Sequence, residues 1–226
     1  MTNAKPVIVF DVNETLSDMS HMAERFSEIG APAELAKLWF VTLLRDGFAL
    51  TASGDNGSFA SIGAEVLRGL LAGVTLSRPL EAAVEHVMGG LTGLCVHEDV
   101  PDGIRALAAA GFQLITLSNG SARIAGKLFS DAGIRDHFQL LLSVEDAAGW
   151  KPARASYEYA AAACGADAAG MMLVAVHPWD IHGAARAGLR TAWLNRAGGS
   201  YPSYFQAPEV TVAALTELPA ALAAAN

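Results

Sequence analysis

An aspartate closes the first apolar run of the chain, in Phe10-Asp11-Val12-Asn13-Glu14-Thr15-Leu16, and three further polar groups recur in comparable places. They are Ser118-Asn119-Gly120 after Leu117, Lys151-Pro152 ahead of a helical pattern, and Asp180 in His177-Pro178-Trp179-Asp180. One carboxylate can serve as a nucleophile, a second can activate water, and a lysine nearby keeps both ionised at neutral pH. Without such a cation, two close carboxylates would tend to share a proton. Taken singly, each group has an ordinary reading. An Asp after a strand caps a turn or helix, Ser-Asn-Gly makes a turn, and a lone lysine sits at the surface. Four of them in this order, each predicted to reach the same sheet edge, are hard to explain as caps.

Four short apolar runs must carry these groups, at 7–10, 114–117, 171–176 and 191–194. None alternates strictly, as expected of strands covered on both faces. Apolar residues at three- and four-residue spacing predict helices over 104–110, 124–132, 155–164 and 181–187, with Gly111, Gly133, Gly165 and Gly188 at or just past their ends. Strand, helix and strand in repetition predict an α/β fold with a parallel sheet and right-handed crossovers. Ligands of such a sheet bind beyond the carboxyl ends of the strands, where strand order reverses. Residues 18–92 are too many for one crossover and read as helices over 19–29, 33–50, 59–71 and 80–90, broken at Gly54-Asp55-Asn56-Gly57-Ser58. This stretch reads as a helical cap inserted after the first strand, leaving 1–17 and 93–226 as the core, with a last helix in the Ala-rich tail from Ala213.

With 52% hydrophobic and 17% charged residues over 226 positions, the chain is globular and long enough to bury a core. A formal charge of -8 with no basic block argues against nucleic acid or an anionic membrane as partner. A small anionic substrate stays compatible, since local donors can oppose net charge. Cys95 and Cys164 lie far apart without metal-ligand spacing and read as two reduced, buried thiols. Neither a signal peptide nor a run of membrane-spanning length is visible, so a soluble, cytoplasmic protein is expected.

Those segments in register resemble the haloacid dehalogenase superfamily, specifically its 2-haloacid dehalogenase (type II) branch. The likeness covers nearly the whole chain and is strongest around Asp11, in 117–121, in Lys151-Pro152 with Tyr157, and from Trp179-Asp180 to Trp193-Leu194-Asn195-Arg196. The resemblance implies a Rossmann-like core with a helical cap, no cofactor and no metal, and a homodimer through cap helices. It also implies that Asp11 displaces halide from a small 2-halo carboxylic acid, giving an ester that water cleaves. Asp180 would activate that water and Lys151 would keep the carboxylates ionised. Thr15, Ser118 and Asn119 become candidates to hold the substrate carboxylate by hydroxyl and backbone donors. Tyr157 would support the site from behind or serve as a core tyrosine. Val12, Asn13, Phe40, Phe59 and Trp179 are candidates to line the pocket, although Phe59 reads better as core.

Most members of the superfamily transfer phosphoryl groups with Mg²⁺, which makes a phosphatase the alternative. Their second Asp is Asn13 here, and their additional acidic residue is Val176, so oxygen ligands for Mg²⁺ are short. A catalytically silent binding protein is a third reading, against which the trio Asp11, Lys151 and Asp180 argues. The pattern also departs from type II dehalogenases. Their halide-receiving arginine after a cap tryptophan is Phe40 here, after Trp39, and their Ser and Asn before the last aspartate are Ala175 and His177. Arg45 lies round the helix from position 40, whereas Lys37 shares its face better. His177 is therefore the candidate to take over part of the halide role or to position the water, and a compact donor there would suit fluoride. His21 and His182 read as surface or cap residues.

Overall fold

The computed structural model describes residues 5–224. Val7–Phe10 forms β1, whose four residues are all buried, and Ser17–Asp18 forms the short β2 just beyond. Four helices follow: α1 (Met22–Glu28), α2 (Leu35–Ala52), α3 (Phe59–Leu71) and α4 (Leu80–Gly90). The chain returns through β3 (Cys95–Val96), which pairs antiparallel with β2, so a two-stranded ribbon stands at the base of the helical insertion. Then come α5 (Val100–Ala109), β4 (Leu114–Ser118), α6 (Ala122–Asp131), β5 (Phe138–Ser143) and α7 (Arg154–Cys164). The chain ends with β6 (Met171–Ala175), α8 (Pro178–Ala187), β7 (Arg190–Leu194), β8 (Val210–Val212) and α9 (Leu218–Ala224).

Six strands form one sheet in the order β5-β4-β1-β6-β7-β8, with every pairing parallel. This is the α/β architecture that the apolar runs predict. The chain leaves β1 for β4 on one side and later crosses to β6 on the other, so strand order reverses at β1. Phe10 pairs with Thr116 of β4 and Val174 of β6, which brings the ends of all three strands to one edge. β4 and β6 are buried at all five positions, which is why their sequences do not alternate.

Several expectations need correction. Strands β5 and β8 are absent from the sequence reading. β5 is an edge strand whose burial is interrupted at Gln139, Leu140 and Leu141, and β8 is only three residues long. The first insertion helix starts at Met22 because residues 19–21 are taken up by turns closed by Met22 N–H on Met19 O and Ala23 N–H on Ser20 O. The last helix begins at Leu218 and not at Ala213. Cys95 is exposed in β3 and Cys164 is half-buried, so neither is the buried thiol expected.

Inside the insertion, Trp39 is fully buried and its Nε1–H donates to Gly63 O at 2.9 Å, tying α2 to α3. Burial of one such side chain is worth roughly 3 kcal/mol. The insertion also docks on the loop before α7. Trp150 N–H donates to Thr51 Oγ1 at 2.9 Å and its Nε1–H to Gly57 O at 3.0 Å. A Cβ on Gly47 would lie 2.5 Å from the Trp150 ring, so only glycine lets α2 approach this closely. No described helix is long and apolar enough to cross a membrane.

Candidate active site

Asp11 follows β1 directly, and its N–H continues the sheet by donating to Val174 O. The chain then turns back, with Leu16 N–H and Ser17 N–H both on Val12 O. That turn needs Glu14 in the left-handed region, at φ 61°, a conformation that costs a non-glycine residue about 1 kcal/mol. It folds Thr15 back under the aspartate. Thr15 Oγ1 donates to Asp11 Oδ2 at 2.6 Å and accepts from Val176 N–H at 3.1 Å.

Lys151 is fully buried, and its Nζ donates to Asp11 Oδ1 at 2.8 Å and to Asp180 Oδ2 at 2.6 Å. Asp180, on the first turn of α8, is also fully buried and accepts from Tyr157 OH on Oδ1 at 2.6 Å. The lysine is held from both sides of its own peptide units. Its N–H donates to Asn119 Oδ1 at 3.0 Å, and Asn119 Nδ2 donates to its carbonyl at 3.2 Å. Gly183 lets α8 come close enough for Tyr157 to reach Asp180, since a Cβ there would lie 2.7 Å from the Tyr157 hydroxyl.

The charges sort the two aspartates. Burial pushes the Asp11 carboxyl up, but Lys151, His177 and the donated hydrogen bonds of Lys151 and Thr15 outweigh it and hold it below the ordinary value. Burial and the neighbouring Asp11 raise Asp180 despite Lys151 and Tyr157. Lys151 is raised, because two carboxylates outweigh its burial. Burial, then Asp180, lifts Tyr157 well above the usual phenol range, so it stays a donor. Asp11 is thus the readily ionised carboxylate and Asp180 the more basic one.

His177 precedes α8 and is mostly buried. Its Nε2 lies 3.2 Å from Asn13 O, 3.6 Å from Asp11 Oδ2 and 3.7 Å from Glu14 Oε2. The ring stacks on Trp179 with centroids 5.0 Å apart, and Phe40 lies 6.4 Å away on the α2 side. Phe59 stacks on Trp150 at 6.1 Å, and it lines, with Val12, Asn13 and Ser118, a cavity of about 20 Å³ beside the Asp11 loop. A groove of about 760 Å³ opens on the other side, lined by Glu14, Lys37, Phe40, His97 and Arg196 among others.

The residues singled out in the sequence therefore gather at one edge, and three of them also hold one another or the backbone in place. The Thr15 hydroxyl is committed to Asp11 and to a peptide N–H. Ser118 Oγ accepts from Gly120 N–H at 2.9 Å, and the Asn119 amide is spent on Lys151. The Thr15 hydroxyl and the Asn119 amide thus shape the site, while the Ser118 hydroxyl hydrogen and the Asn119 backbone N–H enter none of these bonds. Arg45 pairs with the adjacent Asp46 and faces away, on the outer side of α2. His21 is exposed beside Glu24, while His182 accepts from Gln206 N–H.

Trp150, Glu14 and His97 were not foreseen. Only a hydrophobic side chain next to Lys151 hinted at the first, and nothing in residue type marks the other two.

The donor set does not suit a divalent cation. Lys151 fills the position between Asp11 and Asp180, every oxygen of the two carboxylates already accepts a hydrogen bond, and Asn13 and Val176 add no carboxylate. Among the described residues no group of three or more His, Cys, Asp or Glu could hold a metal ion.

A family model described as haloacid dehalogenase-like hydrolase matches residues 5–188. An (S)-2-haloacid dehalogenase of Pseudomonas sp. (strain YL) is 31% identical over 211 residues, covering 92% of this chain and 90% of that protein. Haloacetate dehalogenase H-2 of Moraxella sp. (strain B) is 33% identical over 114 residues, covering 50% of this chain and 51% of that protein. A crystal structure of a dehalogenase superposes with a TM-score of 0.87 at 26% identity, over 96% of this chain and 97% of that one.

Proposed function

The chain belongs to the haloacid dehalogenase-like hydrolases, and on that premise we propose that it hydrolyses the carbon–halogen bond of small 2-halo carboxylic acids, either an (S)-2-haloacid or a haloacetate. The single observation that carries this reading is the buried ammonium of Lys151 bridging Asp11 and Asp180. A carboxylate held ionised in a dry, fixed place is a nucleophile for saturated carbon.

In the first step an oxygen of Asp11 attacks the carbon bearing the halogen. A carbon–oxygen bond forms as the carbon–halogen bond breaks, and the halide leaves with the electron pair. In-line displacement inverts that carbon. In the second step Asp180 takes a proton from a water that adds to the side-chain carbonyl of Asp11. As the tetrahedral adduct collapses, that proton passes to the departing oxygen, and the hydroxy acid leaves with the oxygen Asp11 had supplied. Once Asp11 is esterified it loses its charge, so Lys151 serves Asp180 and the developing oxyanion. No step requires a divalent ion. Residues 18–92 act as a cap that excludes water, through Phe40, Phe59 and the Trp150 contact. The halide departs against the His177 ring, Trp179 and Phe40, where His177, fixed on Asn13 O, replaces part of the missing arginine.

Two copies pair through the outer face of α2, a reading supported by the exposure of Leu38 and Val41, at 49% and 63%. Light scattering should then give twice the chain mass.

Incubation with 2-chloropropionate and with haloacetates, with and without EDTA, tests the assignment by ion chromatography of released halide. Halide release insensitive to EDTA is expected. No release from any haloacid, together with Mg²⁺-dependent hydrolysis of p-nitrophenyl phosphate, would overturn it.

A further inference from the structure

Three consecutive carbonyls of the Asp11 loop are each held by a nitrogen side chain from a different part of the fold. Asn13 O receives His177 Nε2 at 3.2 Å, Glu14 O receives His97 Nε2 at 3.0 Å, and Thr15 O receives Arg196 Nη2 at 3.0 Å and Nε at 3.3 Å. A carbonyl can only accept, so the His97 ring carries its hydrogen on Nε2. At the centre of these tethers sits Glu14, in the left-handed backbone that side chains rarely adopt. A strained conformation of this kind persists only where its surroundings over-determine it.

His97 is well placed to do so. It lies two residues beyond Cys95, at the base of the helical insertion, and its own N–H donates to Leu16 O at 3.0 Å. It thus grips the loop on both sides of Thr15, whose hydroxyl bonds Asp11. Arg196 is fixed in turn by Asp99, with Nη1 2.7 Å from Oδ1. His97 bonds the loop through its backbone carbonyls and forms no hydrogen bond or ion pair with Asp11, so its influence on the nucleophile passes through the backbone.

We propose that His97 is a positioning residue for the Asp11 nucleophile, acting by locking Glu14 in its left-handed conformation so that Thr15 is aimed at the carboxylate. This rests on the reading of Asp11 as the nucleophile. The tether links the point where the insertion joins the core to the reacting carboxylate, and Arg196 cannot take its place, because that guanidinium is already committed to Thr15 O and Asp99.

The test is a double-mutant cycle with glycine at position 14, since glycine adopts the left-handed region without steric cost. His97→Ala should lower kcat by about tenfold to a hundredfold, the range for lost supporting contacts, with KM little changed. His97→Gln, which keeps a donor of similar reach, should recover most of that rate. In the Glu14→Gly background, His97→Ala should cost less than about threefold, because the lock is no longer needed. Crystal structures of His97→Ala and of the double variant provide a readout independent of turnover. Glu14 should leave the left-handed region in the first, whereas the glycine substituted for it should keep that conformation in the second. Equal losses in both backgrounds, or an unmoved Glu14 in His97→Ala, would overturn the proposal. If wild type and variants alike release no halide, the dehalogenase reading fails, while the backbone geometry still decides the role of His97.

Discussion

Lys151 Nζ stands 2.6 Å from Asp180 Oδ2, with both side chains withdrawn completely from solvent. Such a pair contributes little net stability, since desolvation offsets the attraction, but breaking it is costly. Its meaning is electrostatic: it lets two carboxylates stay ionised within reach of one ammonium.

Lys151→Met should abolish halide release and cost about 3–5 kcal/mol at neutral pH, because two buried carboxylates then face each other unpaired. One of them takes up a proton, so its folded pKa rises above the unfolded value. A raised pKa adds stability below the unfolded value and loses it as pH increases. Urea melts of this variant should therefore show stability growing from pH 8 to pH 5. A variant as stable as wild type at pH 8 would speak against the ionised pair.

Tyr157→Phe removes the donor on Asp180 Oδ1 and leaves a buried acceptor unmet, at about 1–3 kcal/mol of stability. Its effect on turnover should fall on ester hydrolysis, about tenfold to a hundredfold, so that rapid quenching finds an initial burst of halide followed by slow release. Slowing of the burst itself would place Tyr157 with the nucleophile instead.

The pH profile of kcat/KM reports the free protein up to the first irreversible step. Burial works against ionisation of Asp11, yet Lys151, His177 and two donated hydrogen bonds hold its pKa below the ordinary 3.8. The acid limb of kcat/KM should consequently lie below that value, provided the fold survives there. As a depressed group, Asp11 also stabilises the fold above its unfolded pKa and loses that contribution as pH falls through its folded one. A limb centred near pH 5 or higher would contradict the assignment.

Glu14→Gly should raise stability by about 1 kcal/mol, by removing the left-handed penalty. For a chain of this size that corresponds to roughly 2–4 °C in Tm by calorimetry. A lower Tm would mean that the Glu14 side chain repays its strain through His177, from which its Oε2 is 3.7 Å distant.

Much of this is legible in the sequence. Asp11, Ser118 and Asp180 could be placed at one sheet edge because the apolar runs before them are long enough to read as buried strands, and parallel topology does the rest. Lys151 joins them only through its place ahead of a helical pattern and the family resemblance, since the strand before it was not readable. The four insertion helices were readable from their apolar spacing in the same way. β5 was not, since an edge strand carrying Gln139 in its interior gives neither a pure apolar run nor a clean alternation. The bonds of Thr15 to Asp11 and of Asn119 to the Lys151 backbone are not legible, because a hydroxyl or amide near a strand end looks the same whether it faces a ligand, a carboxylate or a peptide. The left-handed Glu14 left no trace in residue type, for the side chains that hold the carbonyls around it, His97, His177 and Arg196, come from distant positions.

The central claim is that carbon bonds to Asp11 and that no divalent ion takes part. It is tested most directly by a single turnover of 2-chloropropionate in heavy-oxygen water with EDTA present, followed by mass analysis of the peptide bearing Asp11. Label should enter the Asp11 carboxylate and be missing from the first hydroxy acid formed. Label in the hydroxy acid with none in Asp11, or no turnover until Mg²⁺ is restored, would contradict the account.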